Sequence, residues 1–171
     1  MKILHISTDL KFLTPFIKII NKHEKINQHT FILISKEDII KPQNNIVFIN
    51  KRWQIIKILF TLNQNEKIIL HGLFSNVMLT ILFLQPWLLK RCYWLMHGGD
   101  FYFAKKQSWV KKQVIKRLRH FITYLKDDFK YIEKWYGAKG KYHECFMYPS
   151  NLYKQYDLKQ KTENTINIQV G

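Results

Sequence analysis

Short apolar runs alternate with stretches of helical spacing through the first 150 residues of the chain. Each run is bounded by polar residues, glycine or proline, which is typical of strands buried in a sheet. Between the runs, apolar residues recur every three or four positions, which predicts amphipathic helices. The pattern predicts strands at residues 2–6, 30–35, 45–50, 67–72, 91–99, 120–125 and 144–149.

Local capping signals predict where several helices begin and end. Thr14 followed by Pro15 predicts a helix with Thr14 as N-cap and Pro15 as its first residue. Ser75 or Asn76 is expected to cap a later apolar helix, and Gly137 is expected to end the last one. The other predicted helices lie at residues 53–62, from Lys105 to Arg119, and after Asp127 or Asp128 as N-cap.

This alternation of strand and helix predicts an α/β domain with a mostly parallel sheet. Residues 91–99 are nearly all apolar, which favours a central strand because such strands are buried on both faces. The longest apolar run, Val77 to Leu89, is well short of the ~20 residues that a membrane-spanning helix needs. It also contains Gln85 and Pro86, so we expect a buried helix followed by a turn.

The last part of the chain has a different pattern. Residues 151–165 are polar and lack periodicity, so we interpret them as a linker. Residues 166–171, "INIQVG", have strand character and end in glycine, which is typical of the first strand of an α/β domain. We therefore expect one domain over residues 1–150 and a second domain that is cut off after its first strand.

The chain is strongly basic, and this charge limits the classes of partner that it is expected to bind. Its 171 residues include 28 Lys and Arg against 12 Asp and Glu, for a formal net charge of +16. A hydrophobic share of 47% argues against disorder. The charge predicts an anionic partner: nucleic acid, an anionic membrane surface or a phosphorylated substrate. The two cysteines, Cys92 and Cys145, make no disulfide framework, and we expect both to be reduced core residues.

Polar residues and glycines follow the predicted strands where a ligand would bind. His71 and Gly72 end one strand, and "HGGD", residues 97–100, ends the next. The first strand, in "HISTD", leads to Asp9. Ligands of open parallel sheets bind at the carboxyl ends of strands, where glycine permits close approach and His or Asp can move a proton. The alternative is a glycine-rich turn in which Asp100 caps a helix.

Motifs of other chemistries are absent from the sequence. It contains neither of the common glycine-rich phosphate loops. Its serines lack a nucleophile-elbow context, and its cysteines lack metal-site spacing. The sequence therefore gives no support for an N-terminal nucleotide site, a Ser/His/Asp triad or a metal centre, and we expect no cofactor.

Residues 101–126 contain eight Lys and Arg and no acid, with Trp109, Val114, Ile115 and Leu118 as apolar positions. Two interpretations are open: an interfacial helix on anionic lipid, or a solvated helix face. A nucleic-acid surface is less favoured, because the aromatic residues are not interleaved with arginine. The basic residues expected to face a membrane are Lys105, Lys106, Lys111, Lys112, Lys116, Arg117 and Arg119.

An ordered set of segments resembles the bacterial 4-acetamido-4,6-dideoxygalactose (Fuc4NAc) transferases of enterobacterial common antigen synthesis, also described as 4-alpha-L-fucosyltransferases. The pieces are "HISTD" with "PFIKIIN", "ILHGLFSN", "YWLMHGGDFY", "KRLRHFITYLKDD", "YPSNLY" and "INIQVG". In that family the fifth strand leads into a Gly-x-Asp-Leu-Tyr turn. Gly98 to Tyr102 match this turn, with Phe101 in place of leucine. The matching pieces occur in the same order as in the family, and together they extend over nearly the whole chain.

The resemblance implies a two-domain GT-B glycosyltransferase whose amino-terminal half is a Rossmann-like acceptor domain. It implies transfer of Fuc4NAc from a dTDP-sugar to an undecaprenyl-diphosphate-linked oligosaccharide, by a peripheral enzyme at the cytoplasmic face of the bacterial inner membrane, without a metal. The expected partners are this acceptor, the nucleotide-sugar donor and an anionic membrane surface, with no nucleic acid. The family continues beyond Gly171, so we expect residues 166–171 to begin the donor domain and this portion alone to be inactive.

In such a reaction the acceptor hydroxyl loses a proton as it attacks the anomeric carbon of the donor sugar. Asp100 or His97 is the expected general base or hydroxyl-orienting group. Asp9 and His71 are second candidates, and the other expected acceptor contacts are Gly72, Gly98, Gly99 and Tyr102. Two alternatives stay open: a GT-B transferase with another donor, such as a UDP-sugar, and a non-catalytic basic α/β module that binds an anionic membrane or nucleic acid.

Overall fold

A computed structural model describes residues 1–23, 28–34, 45–49 and 54–146 of the chain. The strands in these residues are β1 (Ile3–Ser7), β2 (His29–Leu33), β3 (Ile46–Phe48), β4 (Lys67–His71), β5 (Cys92–Leu95), β6 (His120–Thr123) and β7 (Lys141–Glu144). The α-helices are α1 (Leu10–His23), α2 (Ile55–Gln64), α3 (Asn76–Leu84), α4 (Gly98–Phe101), α5 (Trp109–Arg117) and α6 (Lys126–Tyr136), with short 3-10 helices at Pro86–Lys90 and Ala104–Lys106.

The described strands form one parallel sheet in the order β3-β2-β1-β4-β5-β6-β7. This confirms the predicted α/β class and is consistent with a Rossmann-like domain. From β1 the chain first moves outward through β2 to β3, and then returns to β4 on the other side of β1. The strand order therefore reverses between β1 and β4. Open α/β sheets bind ligands at this kind of switch point, beyond the carboxyl ends of the strands.

The helices cover the two faces of the sheet unequally. On one face Leu13 and Ile17 of α1 pack against Phe31 and Leu33 of β2. Ile32 points to the opposite face, because neighbouring strand residues alternate. There it joins the larger core that α2, α3, α5 and α6 build with the sheet. The predicted inner position of the aromatic-rich strand is confirmed, since β5 lies between β4 and β6.

Two predicted helix ends are confirmed. Ser75 caps α3, and its side-chain oxygen accepts a hydrogen bond from the Met78 backbone N–H at 3.3 Å. Gly137 ends α6 in the left-handed conformation, with φ of 67°. Both positions follow from local chemistry, because a serine oxygen satisfies a free N–H and glycine tolerates positive φ.

The predicted start of α1 at Thr14 is wrong. The helix begins at Leu10 and contains Pro15 within it. A proline inside a helix removes one backbone hydrogen bond. The earlier start places Leu13 on the sheet, where it is fully buried, and that burial offsets the loss.

The predicted basic helix from Lys105 to Arg119 is shorter than expected. Ser108 caps α5, and its side-chain oxygen accepts from the Lys111 backbone N–H at 3.3 Å. The helix therefore begins at Trp109, and it ends at Arg117. A serine that can satisfy a free backbone N–H stops the helix from extending toward the N-terminus.

The expected aspartate cap of α6 is also wrong. Asp127 and Asp128 lie in the first turn, and the N-cap is Leu125 without a side-chain hydrogen bond. Carboxylates in a first turn still interact favourably with the positive end of the helix dipole.

The last described strand and one cysteine depart from the prediction. β7 begins at Lys141 rather than at residue 144. It is an edge strand with polar residues, so a search for apolar runs places it too late. Cys92 is buried as expected, whereas Cys145 is exposed. The predicted linker at 151–165 and strand at 166–171 lie outside the described residues.

Candidate functional site

A shallow cleft lies at the switch point, at the carboxyl edge of the sheet. Ser7 and Thr8 line it from the end of β1. Gly72, Leu73 and Ser75 line it from the loop between β4 and α3. The cleft is small, about 10 Å³. The Ser7 hydroxyl is bonded to the Asp9 backbone and the Ser75 hydroxyl accepts from the Met78 N–H, so the cleft marks the switch point rather than enclosing a ligand. The remaining lining residues are apolar: Ile6, Ile34, Leu70 and Met78.

The β1 side of the cleft is a tight turn held by Ser7. Its hydroxyl oxygen accepts from the Asp9 backbone N–H at 3.0 Å and donates to the Asp9 carbonyl at 2.9 Å. Ser7 is buried, Thr8 is half-buried and Asp9 is exposed. The turn therefore holds Asp9 at the surface, directly after Thr8 of the cleft wall.

Asp100 is fully buried between the ends of two neighbouring strands. Its Oδ2 accepts hydrogen bonds from the backbone N–H of Leu73 at 2.9 Å and from the indole N–H of Trp94 at 3.2 Å. Trp94 belongs to β5, and Leu73 lines the cleft after β4. One carboxylate oxygen therefore holds the cleft loop against the neighbouring strand.

The surroundings of Asp100 make its carboxyl group unusual. Among the described residues its Oδ1 is a buried oxygen without a hydrogen-bond partner. Burial raises the pKa of this carboxyl, and the hydrogen bonds from Leu73 and Trp94 and the charge of Lys111 oppose that rise. Lys111 is itself buried, with its Nζ 6.0 Å from the centre of the Phe74 ring. Burial lowers the pKa of Lys111.

His97 and the two glycines after it form the accessible side of this region. His97 precedes α4 and is half-buried, and its ring centre lies 6.2 Å from that of Phe74. Gly98 and Gly99 are exposed. The predicted strand ends earlier than expected, at Leu95, so these residues form a helical turn. His97 therefore lies at the accessible side of this turn, while Asp100 stays covered.

Gly72 is conformationally required at the cleft. It has φ of 84°, and a Cβ there would lie 2.8 Å from the Phe74 ring and 3.3 Å from Asp100 Oδ2. We expect Gly72→Ala to lower the free energy of unfolding by about 1–3 kcal/mol, measured by urea denaturation. Gly99→Ala is the matched control, since its Cβ would meet nothing closer than 3.6 Å. Equal losses in the two variants would contradict the strain that we assign to Gly72.

His71 lies inside the sheet rather than in the cleft. His5 Nδ1 is 3.1 Å from His71 Nε2, and His5 Nε2 is 3.0 Å from His29 Nδ1. All three histidines are buried. Burial lowers the pKa of His71 to about 3 and that of His5 well below its ordinary value. The three rings thus form a hydrogen-bonded chain in which His5 and His71 are neutral, and His71 supports the end of β4.

Tyr102 links the turn after β5 to the next helix. Its hydroxyl donates to Asp128 Oδ1, and Thr123 Oγ1 donates to Asp128 Oδ2 at 3.1 Å. The hydrogen bond to Asp128 is the main reason why the pKa of Tyr102 is raised to about 12. The Tyr102 ring remains partly exposed, so it can contact a ligand with its ring while its hydroxyl holds α6.

The basic residues expected on one membrane-facing helix are separated in the structure. Lys111 is buried beside Asp100, so its predicted membrane-facing role is wrong. Lys105 and Lys106 are exposed in the 3-10 helix before α5.

A second cleft lies at the opposite end of α5, roughly 13 Å along the helix. It is lined by Gln113, Lys116, Arg117, Leu118, Arg119, Gly137 and Lys139. Lys112 is half-buried between these ends.

Sequence reasoning missed several residues that build the site. Ser7 and Thr8 were not singled out, although they stand in the quoted segment "HISTD". The sequence does not single out Trp94, and it predicts a membrane-facing role for Lys111. Their contacts with Asp100 depend on how β5 and α5 pack, so no local signal identifies them. The placement of His97, Gly98 and Gly99 at an accessible turn could be read from the polar end of an apolar run.

Two further findings concern ligands and membranes. In the part of the chain that the structure describes, no three His, Cys, Asp or Glu side chains are grouped so as to hold a metal ion. The same residues include no helix with both the length and the hydrophobicity to cross a bilayer.

No protein-family model matches the chain, and no curated protein does either. The function proposed below therefore depends on the fold, on the chemistry of the carboxyl edge and on the resemblance of the ordered sequence segments.

Proposed function

We propose that this chain forms the acceptor-binding domain of a GT-B glycosyltransferase. The observation that carries the proposal is the carboxyl edge of a parallel sheet at its switch point, where His97, Gly98 and Gly99 follow β5 and Asp9 follows β1. Exposed glycine backbone lets a bulky sugar approach, and histidine and aspartate side chains bond sugar hydroxyls. This arrangement suits a carbohydrate acceptor better than a phosphate group, since the sequence contains no glycine-rich phosphate loop.

In the proposed reaction the acceptor hydroxyl attacks the anomeric carbon of the donor sugar. A carbon–oxygen bond forms, the bond from that carbon to the nucleotide phosphate breaks, and the hydroxyl proton passes to a base. Access favours His97 as the group that receives the proton or orients the hydroxyl. Asp100 is buried, and its carboxylate holds the adjoining loop through the Leu73 N–H. We therefore assign Asp100 a positioning role, and Asp9 a contact with the acceptor from the β1 side.

The sequence resemblance supports the identity of the two substrates. It favours a dTDP-linked amino-deoxyhexose such as Fuc4NAc as donor and an undecaprenyl-diphosphate-linked oligosaccharide as acceptor. The product would serve enterobacterial common antigen or another surface polysaccharide. The proposed location is the cytoplasmic face of the inner membrane, with peripheral attachment. The donor nucleotide would be held mainly by a second domain.

Acceptor binding can be tested on the 171-residue chain directly. We expect a soluble short-chain prenyl-diphosphate disaccharide to give saturable binding in isothermal titration, whereas dTDP alone gives little. Gly99→Ala should weaken the binding slightly and Gly99→Leu strongly, by roughly tenfold or more, because the larger side chain occupies the accessible turn. Thermal unfolding of both variants checks that the fold is retained.

Other outcomes of this titration would overturn the proposal. Absence of saturable acceptor binding, together with saturable binding of duplex DNA, would favour the basic binding module. Equal acceptor affinity in Gly99→Ala and Gly99→Leu would place the acceptor elsewhere on the domain.

A further inference from the structure

Seven of the nine residues of helix α3 are apolar. Its residues, "NVMLTILFL", include no charged side chain. Its inner side is buried in the core through Met78, Leu79, Ile81 and Leu82. On its outer side, Leu84 is 67% exposed and Val77 is 41% exposed, and Thr80 lies between them. A helix this apolar is ordinarily buried, so the exposed Val77 and Leu84 side chains form apolar surface that a partner can cover.

The neighbouring helix α5 continues this surface with basic residues. Trp109, Lys112 and Lys116 recur at helical spacing on its outer side, and the Trp109 side chain is 62% exposed. Phe83 joins the two helices: its ring centre lies 5.3 Å from that of Trp109 and 5.7 Å from Arg117 Cζ. We call this surface the α3–α5 face, and it consists of Val77, Thr80, Leu84, Trp109, Lys112 and Lys116.

The six residues of the α3–α5 face include two lysines and no acid. Between Glu66 and Asp127 the sequence contains one acidic residue, Asp100, and that residue is fully buried. At the far end of α5 the second cleft, of about 380 Å³, adds basic side chains to the border of the face. The surface therefore combines an apolar ridge, formed by Val77, Leu84 and Trp109, with a basic ridge formed by Lys112 and Lys116.

We propose that the α3–α5 face docks on an anionic lipid bilayer. Leu84 and Trp109 enter the headgroup region, and Lys112 and Lys116 contact lipid phosphates. An interfacial surface of this kind needs apolar side chains for insertion and basic ones for attraction. Charge complementarity selects this occupant: a second copy of the chain would present a like-charged surface, and a nucleic acid would leave the α3 ridge uncovered.

The docking surface identifies which part of the domain would contact the membrane in the proposed function. It rests on the proposed function only in that the enzyme works at a membrane. Ser75, the N-cap of α3, lines the cleft at the switch point. A bilayer along the α3–α5 face would therefore lie beside the cleft, where a lipid-linked sugar enters.

Vesicle sedimentation with the full chain tests the docking surface without donor or acceptor. We expect binding to vesicles of phosphatidylcholine with phosphatidylglycerol, and much weaker binding to phosphatidylcholine alone. Added salt should reduce the binding, because it screens the lysine charges.

Two sets of variants separate the apolar ridge from the basic ridge. Leu84→Glu should weaken vesicle binding roughly tenfold or more, since an inserted leucine is lost. Its matched control is Phe60→Glu, at a residue of α2 that is 68% exposed.

Lys112→Gln with Lys116→Gln should weaken vesicle binding roughly fivefold for each lysine. The control pair is Lys18→Gln with Lys22→Gln, at exposed residues of α1.

The proposal is overturned if Leu84→Glu and Phe60→Glu reduce vesicle binding equally, or if the wild-type chain does not bind anionic vesicles. Binding of duplex DNA that requires Lys112 and Lys116 but not Leu84 would also overturn it, as would dimerisation through Leu84. Because the assay contains no sugar substrate, a failure of docking is distinguishable from a failure of the proposed transfer reaction.

Discussion

Asp100→Ala is expected to lower the free energy of unfolding by about 2–4 kcal/mol. The substitution leaves two buried donors, the Leu73 backbone N–H and the Trp94 indole N–H, without their shared acceptor. It also leaves the buried Lys111 without the nearby carboxylate whose charge it faces. Urea denaturation measures the loss, and near-ultraviolet circular dichroism reports the change around Trp94.

Asp100→Asn separates the hydrogen bonds from the charge. The amide oxygen can still accept from Leu73 and Trp94, while the amide nitrogen takes the place of Oδ1, which has no hydrogen-bond partner among the described residues. We expect less than half the loss seen in Asp100→Ala. If the two variants lose equal stability, the charge near Lys111 matters more than the bonds to the cleft loop, and our account of Asp100 is wrong.

Stability is expected to fall steeply with acid because of the buried histidine chain. The folded protein keeps His71 neutral, with a pKa of about 3, whereas the unfolded chain takes up a proton near pH 6.5. The unfolded state therefore binds more protons between these two values, and stability is lost as the pH falls through that window. For His71 alone the loss between pH 6.5 and pH 5 is about 2 kcal/mol. His5 acts in the same direction.

Urea denaturation at a series of pH values from 7.5 to about 4.5 measures this effect. The stability of His71→Gln should depend less steeply on pH, because glutamine takes up no proton in the unfolded state. Ser75→Ala serves as control: it removes the α3 cap and should lower stability at every pH without changing the slope. A wild-type slope that is flat from pH 6.5 to pH 5 would show that the histidines take up protons within the folded protein.

The fold could be predicted largely from local patterns. The runs around β4 and β5 gave the strands because buried parallel strands are continuously apolar. Ser75 and Gly137 gave helix ends because capping depends on one or two residues. The same reasoning failed for α1 and β7. Tertiary burial of Leu13 overrides the boundary signal of Pro15, and an edge strand does not need an apolar sequence.

The candidate site was predictable only in outline. The polar ends of the strands indicated which residues reach the carboxyl edge, and His97, Gly98 and Gly99 are accessible there. The burial of Asp100 could not be foreseen, since it depends on Leu73, 27 residues away. The pairing of His5 with His71, 66 residues apart, follows from the register between β1 and β4. Such contacts are set by packing, which no local pattern contains.

The transfer reaction itself is the most direct test of the account. Protein isolated from its native source is incubated with a prenyl-diphosphate-linked disaccharide and a mixture of dTDP- and UDP-sugars, and the lipid products are analysed by mass spectrometry. We predict that the acceptor gains one amino-deoxyhexose from a dTDP donor, and that His97→Ala reduces this product strongly. An acceptor that remains unchanged with every donor, under conditions where the protein is folded and binds vesicles, would contradict the assignment as a glycosyltransferase.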